Sequence, residues 1–133
     1  MLDDNKRYSH RIAVHQPITL HINDSVTIKG FVTDICREGI GMDISIKTED
    51  NIENIDEKTI LNKPLKFLYN DEYEYGKTKK EKNVSGHCLI RHIEKLNDYN
   101  NILHVGAICS DSDFVKYTED REIAEAINNA IPV

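Results

Sequence analysis

The chain has 133 residues, enough for one domain with its own hydrophobic core and no need of disulfide or metal staples. A formal net charge of −6 excludes the broad basic surface of a non-specific nucleic-acid binder, so any recognition of phosphate has to be local. No apolar run approaches the roughly 18 residues that a membrane-spanning helix requires, and no basic amphipathic segment suits a membrane surface. Neither nucleic-acid binding nor membrane insertion is therefore expected.

In chain order, the first dozen residues are polar, and residues 1–12 read as a flexible arm ahead of a folded domain over residues 13–133. This start lacks the apolar stretch of a secretory signal. Cys36, Cys88 and Cys109 are scattered and odd in number, which favours reduced thiols and a cytoplasmic location. From Ile12 the pattern turns to short β-branched segments. Ile18-Thr19-Leu20-His21-Ile22 alternates, Asn23-Asp24-Ser25 signals a turn, and Val26 to Ile35 completes a hairpin.

After Gly39, the residues Ile40, Met42, Ile44 and Ile46 alternate with Gly41, Asp43 and Ser45, the mark of a strand with one buried face. Lys47 to Asn62 is acidic and predicts a loop, and strand character resumes at Pro64. The charged stretch Lys77 to Lys82 predicts a solvated hairpin loop. Val84 to Ile93 and Ile102 to Cys109 are the last strands. Thr118 predicts a helix N-cap, with Ile123, Ala126, Ile127 and Ala130 as its apolar stripe and Pro132 as its stop. The class is mainly β: a small six-stranded antiparallel barrel with a C-terminal helix.

Chemistry gathers near the N-terminus. Arg7 and Arg11, four residues apart, each offer a rigid fork of donors that fits a phosphate or the O6/N7 edge of guanine. Asp34 supplies an acceptor for the N–H groups of guanine's other edge. Two forks and one carboxylate read as a site for an anionic guanine nucleotide. Taken singly, each has a plainer reading: solvated arginines, an Asx turn at Asp34, turn glycines at Gly39 and Gly41, and a bulge or packing glycine at Gly106.

Arg7-Tyr8-Ser9-His10-Arg11 followed by Asp34-Ile35-Cys36-Arg37-Glu38-Gly39 resembles the PilZ domain, with its Arg-x-x-x-Arg and Asp/Asn-x-Ser-x-x-Gly motifs. The strand from Gly39, the glycine of Leu103-His104-Val105-Gly106 and the closing helix extend the resemblance over nearly the whole chain. It implies a PilZ-like β-barrel and a non-enzymatic receptor for the bacterial second messenger cyclic di-GMP, needing no cofactor. Arg7, Arg11, Asp34 and Gly39 would hold the nucleotide, with Lys6 adding charge toward it or toward a second stacked copy. The arm would order over the ligand and present a surface to an unidentified protein effector.

Cys36 stands where the family has serine, and a thiol donates and accepts hydrogen bonds less well than a hydroxyl. Cys36 still belongs to the expected ligand set. The alternatives are a PilZ module that has lost its ligand and serves only protein interaction, and a small metal- or thiol-dependent enzyme. His87, Cys88 and His92 lack a zinc spacing and no Cys-x-x-Cys pair exists, so no metal is expected.

Overall fold

The computed structural model of the chain describes residues 11–23, 26–45, 57–95 and 102–130. Period-two patterning builds six strands among them: β1 (Ile12–Asn23), β2 (Val26–Cys36), β3 (Gly39–Ser45), β4 (Pro64–Tyr75), β5 (Thr78–Lys95) and β6 (Ile102–Ile108). On β3, Ile40, Met42 and Ile44 are buried while Gly41, Asp43 and Ser45 are not, as alternation on a pleated strand dictates. All neighbours pair antiparallel in the order β1–β2–β3–β6–β5–β4, and β1 closes back onto β4. Closure satisfies the edges that an open sheet would expose. Leu20, Ile28, Val32, Met42, Ile90 and Val105 fill the interior without solvent contact. The mainly β barrel with its closing helix agrees with the sequence.

Three local expectations need correction. The acidic stretch before Pro64 contains a single-turn helix, α1 (Glu57–Ile60), anchored by the fully buried Ile60. Behind it Asn62 takes a φ of 60° and donates its N–H to the Ile90 carbonyl at 2.8 Å. The Lys77–Lys82 stretch is not a loop. The turn is confined to Gly76 and Lys77, with Gly76 at a φ of 64°, and pairing resumes at Tyr75 with Thr78. A left-handed glycine makes so tight a hairpin possible, and Lys79, Lys80 and Lys82 lie on β5.

The helix α2 (Ser112–Ala130) starts six residues before Thr118, which is buried inside it and donates its hydroxyl to the Val115 carbonyl at 2.7 Å. The face against the barrel carries Phe114, Tyr117, Thr118 and Ala124, whereas Ile123 is exposed. Phe114 meets Phe67 edge-on at 5.9 Å between ring centres, and Tyr117 meets Tyr69 at 6.2 Å. Beneath the helix, buried Asp71 accepts from the Tyr117 hydroxyl at 2.6 Å and pairs with Arg121 at 3.0 Å. Arg121 also donates to the Ala13 carbonyl at 3.4 Å, and Arg37 grips Glu122 with two bonds of 3.2 Å. The helix thus reaches the start of β1 and the turn after β2.

Candidate functional site

Those same two segments border a cleft of about 550 Å³ on the outer face of β2, β3, β6 and β5. Arg11, Asp34, Cys36 and Gly39 all line it, so residues that are far apart in sequence converge there. Lys6 and Arg7 lie outside the described residues, as does most of the expected arm. Ile12, the last residue assigned to the arm, is buried in β1.

Asp34 sits in β2 with Ala13 of β1 on one side and Gly41 of β3 on the other. Its carboxylate lies over Gly41, where a Cβ would collide with Asp34 Oδ1. A side chain at position 41 would therefore evict the carboxylate. Arg11 Nη1 donates to Asp34 Oδ2 at 3.2 Å across β1 and β2, with 54% and 30% of the two side chains exposed. Pairs this open contribute only about 0–1 kcal/mol, so the contact is easily exchanged for another.

Gly39 owes its identity to strand packing. A Cβ there would run into the Ala107 carbonyl of β6, and its φ is not left-handed. Cys36 is half-buried and lines the cleft, its Sγ 3.6 Å from Glu38 Oε1. The other two thiols are core groups. Burial pushes Cys88 up to about 12 and Cys109 up to about 11, which keeps both protonated and inert near neutrality.

Sequence reasoning missed the opposite half of the cleft. Gly41 pairs with Gly106, and Gly106 with His92, so two adjacent glycines form a flat floor between Asp34 and His92. Arg91 lines the same wall. One level along, the His104 Nδ1–H donates to Asp43 Oδ1 at 2.6 Å. Regular spacing of Gly39, Gly41 and Gly106 on their strands was a usable signal for the floor. Chemically, the cleft offers bare peptide surface at Gly106 for a planar ring, a carboxylate acceptor lying over the neighbouring Gly41 and guanidinium groups around it. Among the described residues, no three His, Cys, Asp or Glu side chains gather as a metal site.

Barrel order, closing helix and cleft define a PilZ-like fold. Solved structures share it. The PilZ domain with c-di-GMP of YcgR from Escherichia coli aligns with a TM-score of 0.51 at 12% identity, covering 95% of this chain and 99% of that one. The inhibitor of motility MotI/DgrA of Bacillus subtilis aligns with a TM-score of 0.56 at 10% identity over 89% of this chain. The chain spans 52% of that protein, about half its length. The sequence matches no protein-family model and no curated protein. No helix among the described residues is long and apolar enough to cross a membrane.

Proposed function

We propose that the chain is a non-enzymatic receptor for cyclic di-GMP, working in the bacterial cytoplasm and needing no cofactor. The observation that carries this reading is the convergence of Arg11, Asp34, Cys36 and Gly39 around one glycine-floored cleft in a PilZ-like fold. The Escherichia coli neighbour, a PilZ domain with c-di-GMP, supports the choice of ligand.

Binding is an exchange of partners. Guanine's N–H edge takes the Asp34 carboxylate, and Arg11, released from its 3.2 Å contact, turns to the ligand's phosphate or O6/N7 edge. Lys6 and Arg7 add their charge to the ligand as the arm orders, and the ordered arm signals to a protein effector.

Calorimetric titration with cyclic di-GMP tests the reading, with hydrogen exchange on residues 1–11 as a second measurement. Saturable binding with new protection of the arm is expected. Absence of binding at millimolar ligand overturns the receptor, and binding without added protection overturns the ordering. The interaction-only module has one observation in its favour: the Cys36 thiol, in place of a serine hydroxyl, is directed at Glu38.

A further inference from the structure

Two irregularities in strand pairing flank the glycine floor at one level. In β2, Val32 pairs with Met42 and Asp34 with Gly41, which leaves Thr33 as an extra residue. In β5, Ile90 pairs with Ala107 and His92 with Gly106, which leaves Arg91 as the extra residue. One row thus runs Asp34, Gly41, Gly106, His92 across four strands, with a bulge just before each outer member. A bulge bends its strand and re-aims a side chain. Arg91 and His92 both line the cleft and are both exposed, between the buried Ile90 and Ile93, which packs against the core, whereas regular alternation would turn one of the two inward.

Arg91 also differs in its company. Arg11 pairs with Asp34, Arg37 with Glu122 and Arg121 with Asp71, whereas Arg91 has no carboxylate partner among the described residues. An unpaired guanidinium aimed into a cleft by a backbone irregularity is a fork awaiting an anion. We infer that Arg91 is a further anion-binding fork of the cleft, set across the glycine floor from Arg11. It takes a phosphodiester oxygen of a cyclic dinucleotide laid over Gly106 beside the Asp34 carboxylate. The inference rests on the nucleotide reading above and extends it to a wall that neither arginine motif nor Asp34 motif includes.

The test is titration of cyclic di-GMP into wild type, Arg91→Gln, Arg91→Lys and Lys79→Gln, with a thermal melt of each. Arg91→Gln, near in length but neutral, is expected to bind about tenfold more weakly at unchanged melting temperature, since the side chain is exposed. Arg91→Lys, which keeps charge and loses the fork, should fall between. Lys79→Gln, on the same strand but outside the cleft, should bind as wild type. Wild-type affinity in Arg91→Gln, or an equal loss in Lys79→Gln, overturns the inference alone. Were Arg91→Gln to melt early, undiminished affinity in Arg91→Lys would overturn it instead. A wild type that binds nothing removes both this and the receptor.

Discussion

Among the described residues, two arginine–aspartate pairs of nearly equal length sit in opposite surroundings. Arg121 and Asp71 meet at 3.0 Å under α2 with 13% and 1% of their side chains exposed, and Asp71 also accepts from Tyr117. Arg11 and Asp34 meet at 3.2 Å on the open face of the barrel. Distance alone does not say what an ion pair is for. The buried carboxylate has protein donors and no competing water, so it fastens helix to barrel. The exposed one can trade its guanidinium for a ligand at little cost.

Breaking the buried pair should have the largest effect. Asp71→Ala strands the Arg121 charge and the Tyr117 hydroxyl under the helix, and losing one partner of a buried pair costs about 3–5 kcal/mol. For a chain of this size that lowers the melting temperature by roughly 10–20 °C, readable by circular dichroism. Alkali should attack the same junction. Burial raises the phenols of Tyr69, Tyr73 and Tyr117 above their ordinary value of 10.0. The unfolded chain therefore loses these protons first as pH passes 10, the folded state binds more protons, and stability falls with further rise. A melting temperature that holds steady from pH 9 to 11 would contradict the geometry of this junction.

Arg11→Ala should invert the pattern. Loss of a bidentate guanine or phosphate contact costs about 1–3 kcal/mol, or a five- to 150-fold weaker binding of cyclic di-GMP. Stability should move by less than about 1 kcal/mol, because the pair it breaks is exposed. Calorimetry and a melt on one preparation read both quantities. A large drop in melting temperature with intact affinity would make Arg11–Asp34 a structural pair like the other and erase the contrast.

How much of this was legible follows from the same physics. Strands announce themselves through alternation, and Ile40, Met42 and Ile44 on β3 left little doubt about which face is inside. The near half of the cleft was legible because Arg11, Asp34 and Gly39 keep a recognisable spacing. The far half was not, since a bulge at Arg91 is a property of how β5 pairs with β6 and no residue type encodes it. The helix was misread for a related reason. Tyr117, Thr118 and Arg121 look polar in a sequence, yet with Asp71, Tyr69 and Tyr73 beneath them they form the packing face, leaving Ile123 to solvent. Lys79, Lys80 and Lys82 hid a strand because residues 78–83 of β5 are exposed on both faces and have no apolar period to display.

The smallest and most selective effect is expected at Cys36. Unlike Cys88 and Cys109, it is half-buried and borders the cleft beside Asp34, with its Sγ 3.6 Å from Glu38 Oε1. Cys36→Ser therefore introduces a hydroxyl where a ligand or Glu38 can accept from it, not inside an apolar core where an unpaired hydroxyl would be costly. One neutral hydrogen bond contributes about 0.5–1.5 kcal/mol, so binding of cyclic di-GMP should tighten by about two- to tenfold at unchanged melting temperature. Had the thiol been packed like Cys88, the substitution would lower the melting temperature and leave affinity alone. That outcome would move Cys36 from the exchangeable region of the molecule to the fastened one, and the ligand set would lose the member by which this chain departs from the PilZ pattern.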